Sequence, residues 1–92
     1  MHATHIEHDW TAACKLVTDL CRDLHNDDGT GDLYQRIYDV RSSIHASGAH
    51  HGQVAIAKEA ELQAAAASWV ARGDAIRQRV IDEAARQVPV RP

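Results

Sequence analysis

Seven histidines in a chain of 92 residues are the first place to look for chemistry, because imidazole binds metals and exchanges protons near neutral pH. His5, His8 and Asp9 stand at i, i+3 and i+4, so on a helix they share one face, and Cys21 and His25 do the same at i and i+4. His45, His50 and His51 gather further along. A zinc site takes three or four N, S or O ligands converging at about 2.0–2.3 Å, and none of these groups supplies four at zinc-finger spacing. His5, His8, Asp9, Cys21 and His25 are thus the ligands a metal-binding reading would use. Solvated or capping histidines are the plainer expectation, and no cofactor is expected.

Other reactive types are as thinly spread. Cys14 and Cys21 lie seven residues apart, about 10 Å along a helix, which is too far for a disulfide. Either thiol with His25 would make a nucleophile and base, but both sit beside an apolar stripe, where thiols are inert. Glu59 and Glu61 flank Ala60 and point to different helix faces, so they form no carboxylate pair. A calcium loop starting at Asn26 would need a glutamate where Ile37 stands. The segment from Ile44 to Gly48 lacks the lysine and glycine spacing of a phosphotransfer histidine. Nucleophile-elbow, P-loop, dinucleotide and His-Glu-x-x-His motifs are missing. The expectation is a protein that is not an enzyme.

Charge narrows the partners. The net charge is −3, with eight acids against four bases in residues 1–48 and five against six in residues 49–92. Neither half has the basic excess that phosphate-backbone binding requires. Arg72, Arg79 and Arg86 recur every seven residues with Arg77 nearby, but Asp82 and Glu83 interrupt them. A DNA-binding regulator is the weaker alternative, and a solvated helix face the simpler one. No stretch is apolar enough for a membrane span or a signal peptide, so a cytoplasmic location is expected. Eight arginines against two lysines suit a GC-rich bacterial or phage coding sequence.

The surface with most to say is Tyr34, Tyr38, Arg41 and His45, spaced 4-3-4. Each follows by one position a member of the aliphatic series Leu33, Ile37, Val40, Ile44, so the two stripes lie about 100° apart on one helix. Tyrosine and arginine are enriched in interface hot spots because they join contact area to directional hydrogen bonds. These four are the candidate partner-binding residues, and the partner they suit is another protein of unknown identity.

Three stripes must position these groups. Ile6, Trp10, Ala13, Val17, Leu20 and Leu24 form the first, and Leu33 to Ile44 the second. Leu62, Ala66, Trp69, Gly73, Ile76 and Val80 form the third. Such spacing lines one side of an α-helix. Helix 1 is predicted from about Glu7 to His25, with Thr4 as N-cap and Glu7 completing a capping box. Helix 2 is predicted from Gly31 to Ala46, capped by Asp28 or Thr30, and helix 3 from Gln53 to Gln87. Gly73-Asp74 could end one helix and start another, but the apolar phase runs through it, which favours a continuous helix.

The expected fold is therefore all-α: one domain over residues 1–92, a bundle of two shorter helices packed on a long C-terminal helix, with a fourth only if the chain breaks at Gly73. A helix of about 50 Å overhangs a domain about 30 Å across. Its seam then needs a second copy, with Trp69, Ile76, Val80 and Ile81 as the oligomer interface of a homodimer. The expected role is a protein–protein interaction module, a small regulator, adaptor or inhibitor acting without catalysis.

Overall fold

In a computed structural model of the chain, residues 9–87 are described. They form three α-helices: α1 (Trp10–Asn26), α2 (Tyr34–Ser47) and α3 (Gly52–Gln87). The fold is an all-α bundle in which every helix packs against the other two. At 1.5 Å per residue the helices span about 26, 21 and 54 Å.

The three stripes meet as one core. Val17, Leu20 and Leu24 of α1, Val40 and Ile44 of α2, and Leu62 and Trp69 of α3 are all buried together. Leu33, Ile37, Ala66 and Val70 close over them, half-buried. Burying each large side chain contributes about 1.5–3 kcal/mol, and this burial holds α1 and α2 to α3. Ile6, first in the N-terminal stripe, lies outside the described residues.

Helix starts differ from the sequence expectation. Helix α1 begins at Trp10, not Glu7, because the Asp9 carboxylate takes the N-cap and accepts from the Ala12 N–H at 3.1 Å. The expected cap residues Thr4 and Glu7 lie outside the described residues. Helix α2 begins at Tyr34, three residues later than expected, with Leu33 at its N-cap position and no side-chain cap. Asp28 closes its own turn instead, accepting from the Thr30 N–H and hydroxyl at 3.0 and 2.6 Å.

Helix α3 runs through Gly73 without a break, and the reason for that glycine is tertiary. Gly29, at φ +97° in the α1–α2 turn, lies against Gly73 backbone to backbone. A Cβ on Gly73 would sit 2.2 Å from the Gly29 carbonyl oxygen, and one on Gly29 would sit 2.1 Å from the Gly73 nitrogen. Gly29 also needs the positive φ that side chains resist. The pair lets a turn touch a helix where any larger residue would hold them apart.

Candidate functional site

The edge of α2 carries the candidate surface. Its aliphatic stripe is drawn into the core, which leaves Tyr34, Tyr38, Arg41 and His45 along the rim. Arg41 Nε donates to Glu59 Oε2 of α3 at 3.0 Å, and His45 Nε2 lies 3.0 Å from Glu59 Oε1. One carboxylate thus holds two neighbouring side chains, and Gln63 Nε2 approaches it from α3 at 3.3 Å. The hydrogen bonds to His45 and then Arg41 hold the Glu59 carboxyl below its ordinary range. Tyr38, Arg41, Ser42 and His45 line an open concavity of about 220 Å³.

The two tyrosines part company. Tyr34 meets Trp69 edge-on, with ring centroids 4.8 Å apart and planes 65° to one another. Part of its area is therefore spent within the bundle. Tyr38 is 67% exposed, beside the fixed Arg41. Glu59 is the member of this site that sequence reasoning missed. It stands three residues before Leu62, on the shoulder of the α3 seam. A carboxylate there, opposite a basic edge on a neighbouring helix, is the signal that could have found it.

At the other end of α2 the turn is built around Asp27. Its Oδ2 accepts from Trp69 Nε1 at 2.6 Å, from the Gly29 N–H at 2.9 Å and from the Gly31 N–H at 3.1 Å. These donors, with the Trp69 bond foremost, lower the Asp27 carboxyl below its usual range. Arg72 reaches back from α3 to the carbonyls of Leu24 and Asp27, the latter at 3.1 Å. It satisfies acceptors that the end of α1 leaves open. Beside it, Asp28, Arg72, Ala75, Ile76 and Arg79 line a groove of about 270 Å³.

The remaining candidates are dispersed. His5 and His8 lie outside the described residues. Asp9 is engaged as the α1 cap, and His25 is exposed at the last turn of α1. Cys21 is half-buried with its thiol 4.0 Å from the Glu61 carbonyl oxygen. Burial, then the Glu61 charge, pushes that thiol above its ordinary value, the opposite of what a nucleophile or metal ligand needs. Cys14 and Cys21 are both free. Among the described residues no three His, Cys, Asp or Glu side chains come together as a metal site. His51 stacks on Trp10, with centroids 4.6 Å apart, while His45 turns to Glu59.

The structure corrects one interface residue. Trp69, expected to hold subunits together, is 0% exposed at the centre of the bundle's own core. Its ring fills the space between helices and its N–H is bound by Asp27, so it has no surface to offer. Ile76 is half-buried at the groove, while Val80 and Ile81 are 63% and 59% exposed. The arginine series is largely engaged: Arg72 with backbone carbonyls, Arg77 with Asp74 at 2.6 Å, and Arg86 with Glu83. No helix among the described residues is long and apolar enough to cross a membrane. The chain matches no protein-family model, and neither curated proteins nor solved structures show a significant match to it.

Proposed function

We propose that this protein is a non-catalytic interaction module that works as a helical oligomer and engages a protein partner through the edge of α2. The observation that carries the reading is the Tyr38–Arg41–His45 concavity, in which Glu59 fixes two side chains beside an exposed tyrosine. A surface already ordered before binding loses little side-chain entropy when a partner arrives. Tyr38 supplies contact area, and Arg41 and His45, both bonded to Glu59, supply polar contacts beside it. The oligomer is supported by the length of α3: its residues 77–87 are all exposed, and Val80 and Ile81 stand among them.

The test is capture by tagged protein, followed by titration of each captured protein in purified form. The variant Y38A/R41A, altered only at exposed positions, should keep its helical circular dichroism and lose binding to the titrated partner. Undiminished affinity of that variant would show that the edge of α2 is not the binding surface.

A further inference from the structure

Arg41, Ser42 and His45 stand three, four and seven residues after Tyr38, and these four line the concavity of about 220 Å³. Residues at those steps are the corners of one diamond on a helix surface. Four such corners form the hole that takes a single side chain, or knob, when a second helix packs alongside. At 100° per residue the diamond points about 140° away from Val40, Ile44 and Ser47, the residues that α2 buries. It therefore opens outward, and it is smaller than the roughly 300–1,000 Å³ of pockets that enclose small ligands. One turn earlier the same steps join Tyr34, Ile37, Tyr38 and Arg41, with half-buried Ile37 among them. The 4-3-4 edge of α2 is thus a short second seam, set apart from the one the bundle uses.

Resting on the partner-binding reading above, we infer that the partner lays a helix along α2 and places a carboxylate side chain, aspartate or glutamate, in the diamond. The corners select that chemistry. An arginine carries five N–H donors, and Glu59 takes the one on Nε of Arg41 at 3.0 Å, which leaves those on the terminal nitrogens. The hydroxyls of Tyr38 and Ser42 have no hydrogen-bond partner among the described residues. A carboxylate knob meets these groups with charge-assisted bonds, which are shorter and stronger than neutral ones. A lysine knob would set a second cation against Arg41. The two nearest acids already have donors of their own. Glu59, on the α3 side, is bonded by Arg41, His45 and Gln63, and Asp39, on the other flank, accepts from Gln35 at 2.9 Å. The unclaimed donors of the diamond are left for the partner. Beside Ile37 the same helix presents an apolar residue, one turn from its carboxylate. Ser42 is the smallest of the four corners, and its size keeps the hole open.

The probe is a lactam-bridged, alanine-based helical peptide about as long as α2, carrying leucine, glutamate and leucine at i, i+4 and i+7. Two further versions have glutamine or lysine in place of the glutamate. Each is titrated to about 5 mM into nitrogen-15-labelled protein and followed by amide chemical shifts. The glutamate peptide should shift Tyr38, Arg41, Ser42 and His45, with a dissociation constant of about 0.1–1 mM. The glutamine peptide should bind about tenfold more weakly and the lysine peptide not at all. R41Q should erase the preference for glutamate. S42L fills the hole from an exposed position, and it should abolish binding with helical circular dichroism unchanged. Equal binding of the glutamate and glutamine peptides, shifts centred elsewhere on the bundle, no binding, or undiminished binding by S42L would overturn the inference. A purified partner that loses affinity for Y38A/R41A yet binds S42L as tightly as wild type would leave the edge of α2 as the binding surface and defeat this inference alone.

Discussion

Replacing Gly73 by alanine sets two effects of opposite sign against each other. Within an exposed helix, glycine to alanine gains about 1 kcal/mol from helix propensity. At position 73 the new methyl would lie 2.2 Å from the Gly29 carbonyl oxygen and 2.9 Å from its carbon. Both are backbone atoms, so no side chain can swing aside. The turn must retreat by about 1 Å to reach ordinary contact distance. That retreat stretches the 2.6 Å Trp69–Asp27 bond to about the limit of a hydrogen bond and pulls Arg72 from its carbonyls. Overpacking costs about 1–3 kcal/mol, and a rigid neighbour puts this site at the upper end. The net is a loss of about 2 kcal/mol, which for a domain of this size lowers Tm by about 8–16 °C. Thermal and urea melts followed by circular dichroism read it directly. A71G, at an exposed site two residues earlier in α3, calibrates propensity in the same helix and should cost about 1 kcal/mol. If G73A is as stable as wild type or more so, propensity outweighs packing and the backbone contact does not hold the bundle together.

Two further outcomes follow from the same contacts. The Asp27 carboxyl is held below its ordinary range in the folded chain, so its contribution to stability is present above about pH 4 and is lost as pH falls through the lowered value. D27N should weaken the fold at neutral pH and flatten the acid limb of a stability–pH curve from urea melts. An unchanged acid limb would place the titrating group elsewhere, with Asp23, Asp28 and Glu59 next, since their carboxyls are also lowered. Leu62 is 1% exposed at the centre of the core, and L62A should cost about 2–5 kcal/mol, leaving much of a small domain unfolded at physiological temperature. A loss below about 1 kcal/mol, within the range of surface substitutions, would mean that the α1–α3 packing is looser than described.

Much of the architecture could be read from spacing alone. The 4-3 alternation named Ala13, Val17, Leu20 and Leu24, then Val40 and Ile44, then Leu62, and the bundle buries all of these. Periodicity is legible because a helix brings residues three and four apart to one face whatever lies opposite. The unbroken phase across Gly73 likewise told that α3 continues. Helix starts were less legible: a cap is a single side-chain bond, and Asp9 outcompeted candidates a few residues away.

What lay beyond the sequence depends on which residues meet across 14 to 48 positions of chain. Arg41 and His45 were visible as an edge, but Glu59 as their common anchor required knowing how α2 and α3 lie side by side. Trp69 looked like any other seam residue, and only its burial and its bond to Asp27 assigned it to the inside. Gly73 carried a possible stop signal within an unbroken apolar phase, and only Gly29 against its backbone explains a glycine in mid-helix. Local periodicity determined that there are three helices and which side of each turns inward. The pairing of distant side chains, set by packing, decided which of the chemically promising residues are spent inside the bundle and which stand on its surface.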